Sequence, residues 1–163
     1  MHRHLYFICP SDHIESLINQ TFRHDNYFLS SLGNSMVIDA NLVEEIMAWM
    51  DIKSIREITF VLSSDNQIIH DAIKQYDFCN VKRLHNYYNE IFQVKMRLKG
   101  LWHMDKEEMP VLSYFLKTKV HALQTILSGL NQIDINGKIY CSSTGTFNEL
   151  DSRIFMRGCL SLN

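Results

Sequence analysis

Four cysteines and eight histidines are the chain's stock of metal ligands and nucleophiles. The cysteines, Cys9, Cys79, Cys141 and Cys159, are too widely spread to form a Cys-x-x-Cys pair, which excludes a zinc ribbon and argues against a disulfide framework. Reduced and mostly buried thiols are expected, with Cys79, Cys141 and Cys159 structural. His2, His4, His24, His85, His103 and His121 show no ligand spacing, and His2 and His4 alternate with Arg3 as the solvent face of a strand does. Chemistry gathers in three short segments: Cys9, Ser11, Asp12 and His13; Gly33 and Asn34; and Ser64, Asp65 and Gln67, with His70 one turn further on. Cys9 reads as a metal ligand, as a small buried hydrophobe, or as a thiol activated at a helix N-terminus with His13 the nearby base. Cys9, Asp12 and His13 are therefore the catalytic candidates. A metal site built from these parts would take Cys9, His13, Asp65 and His70. Backbone N–H groups in residues 63–66 are placed to face an anion, although the simpler reading is that Ser64 or Asp65 caps the helix that follows.

These segments must be positioned by what precedes them. Residues 5–9 form an apolar run stopped by Pro10, which reads as a buried strand. Asp12 and Glu15 make a capping box before Ile14, Leu17, Ile18 and Phe22, a helix of about three turns. Residues 27–29 give a brief strand that runs into a turn at Gly33 and Asn34. Leu42, Val43, Ile46, Met47 and Met50 mark a helix capped by Asp39 or Asn41, and residues 58–62 a strand that feeds the helix of Ile68, Ile69, Ala72 and Ile73. Residues 80–100 are patterned as a helix rich in aromatic and basic residues, although the stretch up to Pro110 has no legible place in the fold. Pro110 opens another helix, ended by Gly129. Residues 137–141 and 146–150 read as a hairpin-like pair of strands around a turn at 142–145. Strands alternating with helices predict an α/β fold, a mainly parallel central sheet flanked by helices. Ligands of such folds sit beyond the carboxyl ends of the strands, where the three segments lie.

With 163 residues, 46% of them hydrophobic, the chain has the length of one domain, residues 1–163. Six glycines and two prolines exclude collagen-like and linker-dominated classes. Sixteen Lys and Arg against eighteen Asp and Glu give no field for nucleic acid or an anionic membrane. Tyr87, Tyr88, Phe92, Trp102, Tyr114 and Phe115 accordingly read as core or a subunit interface and not as a base-stacking platform. The apolar run before Pro10 is too short for a signal-peptide core or a membrane span, so a cytoplasmic protein is expected.

Taken in order, Phe7-Ile8-Cys9-Pro10-Ser11, Phe28-Leu29-Ser30-Ser31-Leu32-Gly33-Asn34 and Phe60-Val61-Leu62-Ser63-Ser64-Asp65-Asn66-Gln67 resemble the β-class carbonic anhydrases. That family reads Cys-x-Asp-x-Arg after one strand, Arg-Asn-x-Gly-Asn after the next, and Gly-His-x-x-Cys after a third. The closing stretch Gly137-Lys138-Ile139-Tyr140-Cys141-Ser142-Ser143-Thr144-Gly145 is similar to its last strand and turn. The resemblance covers most of the chain and implies a tight homodimer and a zinc held by two Cys and one His.

The diagnostic side chains depart from that pattern. Cys9 stands where the first zinc ligand belongs, but the His position is Ser64 and the second Cys position is Gln67. Ser11 and His13 replace the Asp–Arg pair, and a one-residue slip that lets Asp12 serve restores neither missing ligand. Hydroxyl and amide groups bind zinc far too weakly to replace imidazole and thiolate. Zinc is therefore expected to be absent, and with it the metal-bound water that CO2 hydration needs. The expectation is a non-catalytic, dimeric binding or regulatory module with a small anion or metabolite in the polar cleft of Cys9, Ser11, Asp12, Gly33, Asn34, Ser64 and Gln67. The alternatives are an active carbonate dehydratase with a rebuilt metal site, or metal-free thiol chemistry at Cys9.

Overall fold

Short apolar runs bounded by polar turns pair into a sheet, and the longer 3.6-period segments pack on it. The computed structural model describes residues 3–74, 82–99, 108–129 and 133–150. Strands β1 (Arg3–Ile8), β2 (Asp25–Ser30), β3 (Ile55–Ser63), β4 (Asp134–Cys141) and β5 (Thr146–Glu149) form one sheet in the order β2-β1-β3-β4-β5. The first four are parallel, and β5 returns antiparallel on β4 after a turn that places Gly145 at φ 66°. Helices α1 (Glu15–Thr21), α2 (Ala40–Lys53), α3 (Gln67–Ile73), α4 (Lys82–Lys99) and α5 (Glu108–Ile126) lie in the connections. The expected α/β architecture is the one adopted.

Both faces of the sheet are covered, so central strands are apolar on both sides. Leu5, Phe7 and Cys9 turn to the larger core, which receives Ile46 from α2, Ile69 from α3, Ile91 from α4 and Phe115 from α5. Tyr6 and Ile8 turn to a smaller core with Val61 of β3, Ile14 just before α1 and Ile18 within it. The Phe7 and Phe60 rings stack at 4.5 Å on the larger side, and Tyr87 meets Phe115 edge-on at 5.5 Å. Tyr87 and Phe115 thus join the core, Tyr88 and Tyr114 pack partly buried against it, and Phe92 is partly buried. Trp102, His2, His103, Cys79 and Cys159 lie outside the described residues. The segment that had no legible place supplies α4, whose Tyr87, Ile91, Val94 and Leu98 recur at helical spacing and bury one stripe in the larger core.

Several local expectations are corrected. β1 starts two residues earlier than its apolar run and stops at Ile8, leaving Cys9 just beyond it. The capping box at Asp12 and Glu15 does not form: α1 has seven residues, Ile14 precedes it without a side-chain cap, and Asp12 lies in a separate 3-10 turn, Pro10–Asp12. Pro10 fixes the start of that turn and His13, at φ 52°, breaks the path into a continuous helix. Asp39 does cap α2, accepting from the Leu42 N–H at 3.0 Å. Asn66, not Ser64 or Asp65, caps α3, its Oδ1 accepting from the Ile69 N–H at 3.0 Å. His4, expected on a solvent face, is only 4% exposed. It shares the α1 side of the sheet with Tyr6, on which its ring stacks at 4.0 Å.

Candidate functional site

The carboxyl ends of β1, β2 and β3 bring the three sequence segments together. Beyond β1, the fully buried Cys9 presents its Sγ to the Gly33 N–H at 3.0 Å and to the Ser11 hydroxyl at 2.9 Å. Gly33 belongs to a 3-10 turn, Leu32–Asn34, and its φ of 58° suits glycine. A Cβ at that position would also run into the Tyr87 hydroxyl, which donates to the Gly33 carbonyl at 3.0 Å. α4 thereby clamps the turn that holds the Cys9 sulfur. Burial and the nearby Cys9 push the Tyr87 hydroxyl well above its usual range, so it remains a donor. The next residue, Asn34, is buried and donates from Nδ2 to the Val61 carbonyl at 2.9 Å and the Phe7 carbonyl at 3.4 Å. Its Oδ1 has no hydrogen-bond partner among the described residues.

Asp12 reaches across to the end of β3. Its Oδ2 accepts from the Ser63 N–H and its Oδ1 from the Asn66 side-chain amide, both at 2.7 Å. Burial raises its pKa; the bonds from Ser63 and Asn66 and the nearby His13 oppose that, and Asp65 adds to it. The remaining amides of the turn are also engaged. Ser64 N–H donates to the Tyr140 carbonyl at 2.8 Å, Asp65 N–H to the Ser63 hydroxyl at 3.3 Å, and Asn66 N–H to the Ser63 carbonyl at 3.1 Å. The expected open set of N–H groups for an external anion is therefore corrected: Asp12 takes the Ser63 N–H, and Tyr140 and Ser63 take the other three.

The other candidates are drawn elsewhere. His13 is exposed. The Ser64 hydroxyl donates to Asp65 at 2.8 Å, and Asp65 also accepts from Ser142; these bonds hold its carboxyl below the usual range. Gln67 is exposed and donates its amide to Asp71 at 2.7 Å. His70 donates from Nε2 to the Ser64 carbonyl at 2.9 Å, and its Nδ1 lies 3.4 Å from Glu108. Among the described residues no group of three or more His, Cys, Asp or Glu is placed to hold a metal ion, so Cys9, His13, Asp65 and His70 do not converge. Sequence reasoning missed Tyr87, Asn66 and Ser142 as parts of this region. The visible signal was Asn66, a favoured capping residue immediately before a helical pattern.

No family model and no curated protein matches the sequence. Solved structures match it over nearly its whole length. The β-carbonic anhydrase CafD (wild type) of Aspergillus fumigatus aligns with TM-score 0.74 and 17% identity over 93% of this chain and 90% of that one. A tetrameric β-carbonic anhydrase of Sordaria macrospora aligns with TM-score 0.74 and 14% identity over 91% and 80%. The Coccomyxa β-carbonic anhydrase in complex with acetazolamide gives TM-score 0.69 and 16% identity over 91% and 72%. The chain has the β-carbonic anhydrase fold.

That fold implies zinc, and the residues at the positions expected of its ligands do not fit it. The Cys9 sulfur is enclosed by a backbone N–H and a hydroxyl, Ser64 offers a hydroxyl turned to Asp65, and Gln67 offers an amide turned to Asp71. One thiol, one hydroxyl and one amide are not a zinc donor set.

Cys141 corrects the expectation that its thiol is structural. It stands at the end of β4 with an exposed sulfur 3.1 Å from the Ser143 hydroxyl, and hydrogen bonds from Ser143 and Thr144 bring its pKa down to about 7. Peptide-resolved alkylation should therefore label Cys141 with a rate that climbs through about pH 7, while Cys9 reacts slowly. Fast labelling of Cys9 in the folded protein would contradict its enclosure. The Asp12 bridge predicts a stability effect: Asp12→Ala strands the Ser63 N–H and the Asn66 amide and should cost about 2 kcal/mol or more. Asp12→Asn should cost a similar amount, because it turns an N–H2 toward one of those donors. Urea denaturation checks both; a loss under about 0.5 kcal/mol for Asp12→Ala would show the bridge to be dispensable.

Proposed function

We propose that this chain is a non-catalytic protein of β-carbonic anhydrase fold, without zinc and without CO2 hydratase activity, that acts as a binding or regulatory module. The observation that carries the reading is the state of Cys9, whose Sγ is already enclosed by the Gly33 N–H and the Ser11 hydroxyl. Ser64 and Gln67 complete the argument, since neither supplies imidazole or thiolate.

Of the two ligand classes the cleft suggests, a small polar metabolite is favoured over a free anion. The Asp12 carboxylate takes the Ser63 N–H and the other amides of the turn are bonded within the chain, so an anion would find no open backbone donor there. The polar side chains nearby are Ser11, Ser64, His13 and Gln67, of which Ser11, Ser64 and Gln67 already bond Cys9, Asp65 and Asp71. Metal-free thiol chemistry at Cys9 is disfavoured by its complete burial and by the exposed position of His13, which was its expected base. Free thiols at Cys9 and Cys141 suit a cytoplasmic protein, and no described helix is long and apolar enough to cross a membrane.

Purified protein should carry zinc far below stoichiometry and leave CO2 hydration at the background rate. Stoichiometric zinc that is lost in Cys9→Ser, together with hydration above background, would reverse the reading. Self-association as a homodimer belongs to the same proposal. It is supported by exposed apolar residues at Leu32, Val37, Met47 and Ile52 and by the tetrameric state of the Sordaria macrospora protein. Sedimentation velocity at micromolar concentration should give a dimer, and a monomer there would remove that part.

A further inference from the structure

Beside the clamp that α4 places on the Gly33 turn lies a cavity of about 880 Å³, a size ordinary for small-molecule sites. None of the Cys9 cleft residues lines it, so it is a separate site. Its walls are the stretch 35–39, the start of α2, the first half of α4 and the second half of α5. Two of these helices present the same pattern. Asn41 and Glu45 on α2, and Asn86 and Glu90 on α4, stand four residues apart, which puts each pair on one helix face, and all four line the cavity. Met36, Ile38, Leu42 and Ala122, all half-buried, add an apolar lining.

The charges around the cavity do not cancel. Lys119, only 9% exposed, is the one lysine or arginine among the described lining residues. Its ammonium lies 3.1 Å and 3.2 Å from the two oxygens of Glu90 and 5.1 Å from the centre of the Phe115 ring, so its charge is spent on Glu90. Asp39 gives Oδ1 to the Leu42 N–H as the cap of α2 and keeps Oδ2. Glu45 is exposed and has no hydrogen bond or ion pair among the described residues. Three carboxylates against one ammonium leave two negative charges, both at the start of α2. The Asn41 and Asn86 amides add neutral acceptor oxygens.

We propose that this cavity binds a small aliphatic amine, with the ammonium on the Asp39 and Glu45 side and the hydrocarbon body against Met36, Ile38 and Leu42. An ammonium brings three donors and no acceptor, which matches a wall of carboxylates and amide oxygens. An anion would meet two uncompensated carboxylates and a lysine already held by Glu90. A divalent metal ion needs several hard oxygen ligands converging on one point, and among the described residues no three of His, Cys, Asp or Glu are placed to hold one. A metal ion would also make no use of the apolar lining. The site does not depend on what occupies the Cys9 cleft.

The test is titration of the full chain with putrescine, a four-carbon diamine, followed by amide NMR at constant ionic strength. Saturable shifts centred on residues 39–45 and 86–90 are expected, with none from succinate, the dianion of the same length, or from butanediol, its neutral counterpart. Glu45→Gln should weaken binding about fivefold, the scale of an exposed charge-assisted contact. Glu44→Gln removes the same charge one position away, from a residue outside the cavity walls, and should leave the affinity unchanged. Both side chains are exposed, so neither substitution should disturb the fold. No saturation below about 10 mM putrescine overturns the proposal. Equal weakening by E44Q and E45Q also overturns it, as the mark of diffuse surface attraction. The same shifts produced by succinate or by Mg2+ alone at equal concentration would overturn the assignment to an amine.

Discussion

Where two parallel strands end side by side, their last backbone groups lose the neighbour that would have continued the ladder, and leaving them buried and unpaired is costly. In this protein Asn34 and Asp12 meet that need between β1 and β3. Asn34 donates to the Val61 and Phe7 carbonyls, one on each strand, while Asp12 accepts the Ser63 N–H that ends β3. Both residues come from connecting segments, so the ties that finish the sheet also fix the path of the chain between its elements. The rest of the cleft follows from them. Asn34 in place sets Gly33 beside Cys9, and Asp12 in place lets Asn66 both hold the carboxylate and cap α3.

This arrangement explains why the cleft is polar yet nearly saturated. Each amide of residues 63–66 has an acceptor within the chain. The Cys9 sulfur has two polar neighbours, and the Gly33 carbonyl is taken by Tyr87. Reactive geometry needs groups left available at the moment of substrate binding, whereas these are committed to one another. Among the described residues the buried Asn34 Oδ1 has no hydrogen-bond partner. The Cys141 end of β4 differs, since its sulfur is exposed and its hydrogen bonds favour the thiolate.

The alternation of strands and helices was legible because it is written in local apolar periodicity, and so was the gathering of the three segments, because a parallel sheet brings its strand ends to one edge. What escaped was decided over long distances in sequence. Asp12 carries a good local capping signal, but its partners stand 51 and 54 positions later and offer two donors to a buried carboxylate. His4 sits in a polar alternation that reads as a wet face, and only the neighbours supplied by β3 and β4 convert that face into a buried one. Tyr87 reads correctly as core; its second role, donating to Gly33 across 54 positions, depends on how α4 docks. Periodicity reports which side of an element is apolar, and it carries no information about which polar group on another element will be satisfied there.

The two ends of the sheet also show that the fold is held by ties independent of the positions where the resemblance calls for zinc ligands. At the carboxyl edge, donors and acceptors between Asp12, Asn34 and their partners close the strands. At the amino edge the closure runs through His4, Thr59, Asn136 and Glu57, side chains supplied by β1, β3 and β4. Neither closure passes through Ser64 or Gln67, the positions where the resemblance calls for zinc ligands. A metal held there would add a tie to a sheet already closed at both edges, so its ligands can change while the architecture stays the same. Fold and site are then under separate physical constraints: backbone satisfaction holds the first, and the second requires a donor set that backbone satisfaction does not demand.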